Sequence, residues 1–405
     1  MPHPNSTAAG SNERVDGFAT RAIHFGYDPT LYGGAVAPPV FFTSTYGFES
    51  MGEMDAAASL GGKLYAREHN PTTEILEARL ANLEGAEAAL TVATGMAAAG
   101  TLMLGLLSQG DEIIVHQTLY SNTVALTRDG IPRFGIKVIP VDLSDPANLD
   151  AALTPKTKLV YFETPVNPTS EILDIAAISA RAAKVGAKVV VDSTFASPAL
   201  QRPLEHGAHI VLHSLTKYIN GHGDVLGGVL LGDRGTIAHL HSHGLRYLTG
   251  ATLSPMTAGL IMRGLKTLPL RMERHSRSAL TIAEKLADHR AVAWVRYPYL
   301  EGSPGYEIAR KQMSGGSGML SFGLKNGFDG ARRVLDRLEL ASRGVSLGDV
   351  ETLVMHPASI LRARQTVRPE AKPVEGVGDD LIRFSVGLED EADIWDDLAQ
   401  ALEGA

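Results

Sequence analysis

The 405-residue chain has no cysteine, which excludes disulfides, thiolate metal sites and a cysteine nucleophile together. That absence is compatible with a reducing compartment without requiring one, because a chain without thiols is indifferent to redox state. Long apolar runs are missing too. Nothing approaches the roughly 20 uninterrupted apolar residues of a membrane span, and residues 1–12 are polar with no hydrophobic centre, so they do not read as a signal peptide. A soluble, cytoplasmic protein is expected. Charge of one sign is not in strong excess: 37 Lys and Arg against 45 Asp and Glu give a net −8, with no basic footprint for nucleic acid. Neither a G-x-G-x-x-G dinucleotide fingerprint nor a P-loop occurs. His213, His222, His239, His241 and His243, among 14 histidines, show no metal-ligand geometry, and the alternating trio at 239–243 reads as a solvated stretch. What is present is an ordinary globular composition, 44% hydrophobic and 20% charged, in a chain long enough for two or three subdomains.

Residues 1 to about 15 read as a disordered tail, and 16 to about 66, rich in Gly, Pro, Thr and aromatics, as an extended arm. Thr73 to Glu84 carries a helical stripe, Ile75, Leu76, Leu80 and Leu83, stopped by Gly85. Short apolar runs then alternate with helical segments at Ala88–Val92, Ile113–Val115, Val138–Val141, Leu159–Phe162, Val189–Val191, Ile210–Leu212 and Val229–Leu231. Runs apolar on both faces and separated by helices predict an α/β fold with a mixed, mostly parallel sheet covered on both sides. Beyond about residue 265, helices at Ser276–Asp288 and Asp329–Leu338 mix with strands near Met319–Leu324 and Leu381–Val386, a smaller α+β domain. The expected division is an arm at 1–66, a ligand-binding α/β domain at 67–264 and an α+β domain at 265–405.

Ligands in such sheets gather at the carboxyl ends of strands. Val189-Val-Val-Asp192 puts a carboxylate at one such end, and Ser214-Leu-Thr-Lys217-Tyr218 follows the next with an amine and two hydroxyls. Lys217 can form a Schiff base with an aldehyde, Asp192 can hold a protonated ring nitrogen, and Ser214 and Thr216 can donate to a phosphate. Those are the three handles of pyridoxal phosphate. Read alone, Lys217 is better taken as a surface lysine after a buried strand, and it is the rest of the pattern that reverses this. Thr94-Gly95-Met96 opens the helix Met96–Leu107 and offers backbone N–H groups to an anion, or is a plain strand–helix turn. Tyr120 can stack on a planar ring or simply pack. Asn167, in Glu163-Thr-Pro-Val-Asn167-Pro168, can bind a phenolic oxygen or carboxylate, or be a turn asparagine. Arg383, inside the apolar strand Leu381–Val386, is either a buried carboxylate clamp or an edge arginine facing water. Tyr65 and Arg67 sit on the arm, a segment with no core of its own that is suited to packing on a neighbouring subunit.

These residues, with Gly17-Phe-Ala-Thr-Arg-Ala-Ile-His24, Tyr65-Ala-Arg67-Glu-His-Asn70-Pro71-Thr72, Asp192-Ser-Thr194, Ser214–His222, Ser346-Leu-Gly348 and Ser385–Glu389 in this order, make the chain resemble the pyridoxal-phosphate-dependent cysteine/methionine metabolism (trans-sulfuration) family, nearest in look to its methionine γ-lyases. The resemblance runs from about Gly17 to the C-terminus. It implies an aminotransferase type I fold in a homotetramer of two active-site-sharing dimers. It implies that Lys217 carries the cofactor, Asp192 (beside Thr194) pairs with the pyridinium, and Tyr120 stacks on the ring. Gly95, Met96, Ser214 and Thr216 would hold phosphate, with Tyr65 and Arg67 from the partner subunit. Asn167, Ser346 and Arg383 would hold the α-carboxylate of a small amino-acid substrate.

The implied chemistry is γ-elimination from a γ-substituted L-amino acid with a modest Cγ leaving group that need not be the thioether of methionine, with Lys217 as base and proton shuttle and Tyr120 as acid for the leaving group. The alternative is γ-replacement on an O-acetyl- or O-succinylhomoserine by sulfide or a thiol. A third reading, a non-catalytic cofactor binder, is opposed by the joint presence of Tyr120, Lys217 and Arg383. The pocket departs from the methionine γ-lyase pattern at four places: Asn122 replaces a cysteine, Ser193 an asparagine, Arg246-Tyr247 a Lys-Asp pair, and Ile360–Arg364 a Met-Thr-His-Ser segment. Val345 stands where cystathionine-cleaving relatives have a glutamate, which argues against cystathionine. Arg362, Arg364 and Arg368 form an anion-attracting rim or, as the better expectation, a solvated loop.

Overall fold

The seven expected apolar runs pair into one sheet in the order β1-β7-β6-β5-β4-β2-β3. They are β1 (Ala88–Val92), β2 (Glu112–His116), β3 (Lys137–Val141), β4 (Thr157–Glu163), β5 (Lys188–Asp192), β6 (Ile210–Ser214) and β7 (Gly228–Gly232). A computed structural model describes residues 16–59, 61–367 and 375–404, so the expected tail at 1–15 and Arg368 lie outside the described residues. Strands β3, β2, β4, β5 and β6 run parallel, and β7 alone is antiparallel to both its neighbours, β6 and β1. Val189, Val190 and Val191 on β5 are all fully buried, so both faces of the central strand are covered and alternation is absent. Burying each such side chain is worth roughly 1.5–3 kcal/mol.

Helices end where the sequence provides caps. Pro71–Glu84 begins at Asn70, whose side chain accepts from the Thr72 N–H, and ends at Gly85 with φ +79°. The arm, in contrast, is not simply extended. Phe18–His24 and Met51–Ser59 are helices within it, the second without a single buried residue. Its Asp-Ala-Ala-Ala-Ser stretch has helix propensity but no apolar stripe, and that is why periodicity did not reveal it.

The second sheet has the order β10-β11-β12-β9-β8, from β8 (Val292–Arg296), β9 (Met319–Leu324), β10 (Ser342–Arg343), β11 (Leu353–Met355) and β12 (Leu381–Ser385). Its core joins Phe322, Phe384 and Ile382 to Ile282, Val334 and Leu398 from three covering helices. The helix expected at Ser276–Asp288 is the later part of Leu268–Ala287, a 20-residue helix with a proline in its first turn. Ile360–Arg364, expected as loop, belongs to the helix Pro357–Gln365. Pro357 at the helix start fits there because it lacks only an N–H that has no partner in any case.

Candidate functional site

Because β1, β6, β5 and β4 all point the same way, their carboxyl ends meet at one edge of the large sheet. A cavity of about 190 Å³ opens there, closed on the other side by Val345 and Leu347, from the segment between β10 and β11, and by Arg383 of β12. Asp192 ends β5 and Glu163 ends β4, opposite each other in register. Asp192 Oδ1 accepts from the N–H and hydroxyl of Thr194, and the residue lines the cavity. Burial raises the Asp192 carboxyl while the Thr194 bonds pull the other way. Burial and the neighbouring Asp192 charge hold Glu163 well above the usual carboxylate range. Two adjacent buried carboxyls do not both ionise cheaply, and the Thr194 donors place the charge on Asp192.

Lys217 follows β6. Its Nζ donates to Ser346 Oγ at 2.8 Å, across the gap between the sheets. Burial first, and the Arg383 charge second, lower its amine to about 8. At pH 7 about a tenth of such amines are neutral, against well under a thousandth for an ordinary lysine. Arg383 is 4% exposed on β12. It donates to Asn167 Oδ1 at 3.1 Å and to the carbonyls of Val345 and Ser346 at 3.0 and 2.9 Å. All three acceptors are neutral. A buried guanidinium whose hydrogen bonds, among the described residues, go only to neutral oxygens is a receptor for an anion. The edge-arginine alternative is thereby removed.

The end of β6 and the start of helix Gly95–Leu106 touch because both positions are stripped of bulk. A Cβ on Gly95 would stand 3.0 Å from Ser214 Cβ, and one on Gly228, paired with Ser214, would meet the Thr94 carbonyl at 2.3 Å. Thr94 caps the helix through the Ala97 N–H, so Gly95 and Met96, the first two helical residues, have N–H groups with no intrahelical partner. Ser214, beside Gly95, and Thr216 add hydroxyl-bearing residues to the same lining. The cavity lining therefore carries anion donors, a buried carboxyl and an amine of lowered basicity. This donor set fits pyridoxal phosphate at its phosphate, ring nitrogen and aldehyde. The buried Tyr161 hydroxyl, also on the lining, stands beside the Asp192 carboxyl.

Tyr120 lines the cavity, with its N–H donated to Glu163 Oε1 at 2.8 Å. Asn122 stands outside the lining and donates to the Tyr120 hydroxyl. Val345 lies at the mouth, 67% exposed. Tyr65 and Arg67, stacked on each other with 5.3 Å from guanidinium carbon to ring centre, are on the arm and outside their own chain's cavity. Ser193 is fully buried, with its hydroxyl bonded to Gln201 Nε2, and so braces the end of β5. Arg246 is paired with Glu68 at 3.2 Å. Arg362 is tied to Asp379 and lies 3.7 Å above the Phe328 ring, so the anion-attracting reading loses it.

His241, expected in a solvated stretch, is half-buried, bonded to the Glu68 carbonyl, with its ring tilted against that of His69 at 5.0 Å between centres. No group of three or more metal-binding side chains occurs among the described residues, and no described helix is long and apolar enough to cross a membrane.

Sequence reasoning missed Glu163, whose two oxygens accept from the Tyr120 and Asn167 N–H groups and so fix both cavity walls. The signal was there: Leu-Val-Tyr-Phe-Glu163 ends in a carboxylate just as Val-Val-Val-Asp192 does. The Lys217 amine also sets a rate. With cofactor-free protein, appearance of visible absorbance on adding pyridoxal phosphate is expected to rise about tenfold from pH 6 to pH 7 and to level off above about pH 8, because only the neutral amine attacks an aldehyde. A profile still climbing tenfold per unit at pH 9.5 would contradict the lowered amine.

A family model described as Cys/Met metabolism PLP-dependent enzyme matches residues 19–403. An L-methionine gamma-lyase of Pseudomonas putida is 47% identical over 399 residues, covering 98% of this chain and 99% of that protein. A cystathionine gamma-synthase of Mycobacterium tuberculosis is 42% identical over 391 residues, 96% of this chain and 98% of that protein. Among solved structures, metB from Corynebacterium glutamicum superposes with a TM-score of 0.90 at 38% identity, over 96% of this chain and 98% of that one.

Proposed function

This chain belongs to the Cys/Met metabolism PLP-dependent enzymes, and from that premise we propose that it catalyses γ-elimination from a γ-substituted L-amino acid, releasing a 2-oxo acid, ammonia and the leaving group. One observation carries the reading. The Lys217 amine and the Arg383 guanidinium, from different sheets, are joined through Ser346 into one cavity wall, over Asp192 at the floor.

Bound pyridoxal phosphate supplies the electron sink that makes the protons of an attached amino acid removable. Asp192 keeps the ring nitrogen protonated, and Gly95, Met96, Ser214 and Thr216 hold the phosphate. Arg383 and Asn167 clamp the α-carboxylate, which places Cα within reach of the Lys217 amine. Lys217 takes the proton from Cα and hands it on to the former aldehyde carbon, which returns the amine to its neutral form so that it can then take one from Cβ. Tyr120 gives its proton to the group leaving Cγ. Val345 offers the mouth an apolar surface with no acid for a distant ammonium, which favours a short neutral leaving group over cystathionine.

Several arm side chains, among them Leu31, Val36 and Phe42 at 68%, 83% and 69% exposure, want cover. A homotetramer of cavity-sharing dimers gives it, and brings Tyr65 and Arg67 of one copy to the phosphate end of another. Arg67→Ala is then expected to weaken cofactor retention about 10- to 100-fold, the value of a charge-assisted hydrogen bond, measured by dialysis and residual absorbance. Unchanged retention would place Arg67 elsewhere. The cytoplasm, where pyridoxal phosphate and amino acids are both available, is the proposed location.

The deciding experiment is a panel of γ-substituted amino acids (methionine, canavanine, homoserine esters, cystathionine) assayed for 2-oxo acid. No product from any of them would sink the reading. Replacement keeps a place because a cystathionine gamma-synthase is 42% identical over nearly the whole chain. O-Acetylhomoserine with sulfide separates the two: 2-oxobutyrate speaks for elimination, homocysteine for replacement.

A further inference from the structure

Asn122 is the second residue of the helix Ser121–Ala125, and Tyr120 is its N-cap, with φ −48° and ψ 130°. The non-helical backbone at Tyr120 brings together two side chains that regular i,i+2 spacing would keep apart. Asn122 Nδ2 donates to the Tyr120 hydroxyl oxygen at 2.8 Å. Conjugation keeps a phenol's O–H in the plane of its ring, so the proton has two positions, one on each side of the oxygen. An N–H arriving on one side leaves the proton the other. Asn122 is outside the cavity lining and Tyr120 is part of it, which leaves the side away from Asn122 as the one from which the proton can serve the cavity. The rest of Tyr120 is held as well, since its backbone N–H is fixed by Glu163.

We propose that Asn122 is a positioning residue that aims the Tyr120 proton into the cavity and thereby determines which leaving groups the site can expel. The inference rests on the γ-elimination reading above. In the step concerned, the Cβ–H bond breaks and its proton goes to Lys217. The electron pair of that bond forms the Cβ–Cγ double bond, the Cγ–X bond breaks with its pair going to X, and X takes the proton of Tyr120. A thiolate is a basic leaving group and needs that proton as it departs, whereas a carboxylate leaves without it. Alignment of the Tyr120 proton therefore matters for thioethers and little for esters. A carboxylate at position 122 would reverse the aim, because it only accepts and would draw the phenol proton to itself.

The test uses holoenzyme of the wild type, Asn122→Leu and Asn122→Asp, each assayed for 2-oxobutyrate from L-methionine, L-ethionine and O-acetyl-L-homoserine. On the thioethers, kcat is expected to fall about tenfold for Asn122→Leu and about 100-fold for Asn122→Asp, part of the roughly 10²–10⁴ that a positioned proton donor supplies. On the ester both variants should stay within about threefold, with cofactor absorbance unchanged. Equal losses on thioether and ester would mean a merely structural role and overturn the inference, as would Asn122→Asp keeping wild-type thioether turnover. A wild type that turns over the ester and no thioether overturns it while leaving γ-elimination standing. A wild type that releases no 2-oxo acid from any of the three removes the elimination reading, and this inference with it.

Discussion

Lys217→Ala is expected to lose both the visible absorbance of the bound cofactor and essentially all turnover, by about 10⁴-fold, the upper end of what one positioned proton-transfer group contributes. The expectation follows from position. Lys217 is the lysine on the cavity lining, its amine is lowered to about 8, and its Ser346 bond holds it where a substrate Cα would lie. In the proposed function, loss of the side chain removes the cofactor's covalent anchor and the base together. Added primary amines, such as methylamine, should restore part of the turnover with a rate that follows the neutral amine concentration. A Lys217→Ala protein that keeps both absorbance and activity would move the chemistry to another residue.

The second large effect belongs to Arg383. Arg383→Leu should retain the cofactor absorbance, since its hydrogen bonds go to Asn167 and to the carbonyls of Val345 and Ser346. kcat/KM should fall by about 10²–10³, most of it in KM, because removing one partner of a buried, hydrogen-bonded charge pair costs about 2–5 kcal/mol. Arg383→Lys should recover little, since an ammonium lacks the planar fork that spans a carboxylate. The same substitution carries a second sign. Without the Arg383 charge beside it, the Lys217 amine should rise, and the pH at which cofactor loading levels off should move above about 8. Steady-state kinetics and the loading profile measure the two effects independently. A fall confined to kcat, with KM and loading unchanged, would take the carboxylate clamp away from Arg383.

The placement of the candidate residues was legible in the sequence where they sit at the ends of strands. Asp192, Ser214 and Lys217 follow runs so uniformly apolar that only a doubly covered sheet explains them, and ligands gather at the carboxyl edge of such sheets. Arg383 was half legible. Its strand could be read but not which face it turned, and only the pairing of β12 between β9 and β11 makes that strand internal. Glu163 went unseen because its partners are backbone N–H groups 43 and 4 residues away, and a backbone leaves no residue-type signal. The half-burial of His241 depends on Glu68 and His69, brought beside it from 173 and 172 residues earlier. The arginine segment was misread because Pro357 starts a helix as readily as it ends one, and its Asp379 and Phe328 partners are distant in sequence.

Amine and carboxylate hang from the rigid large sheet, while the mouth is finished by residues 345–347, which run between β10 and β11 of the other. The tools and the keyhole are therefore separately mounted. An engineer can recut the short span around Val345 to admit longer, charged or branched side chains, and evolution has the same freedom. Neither has to disturb the parallel strands that hold the working groups in register.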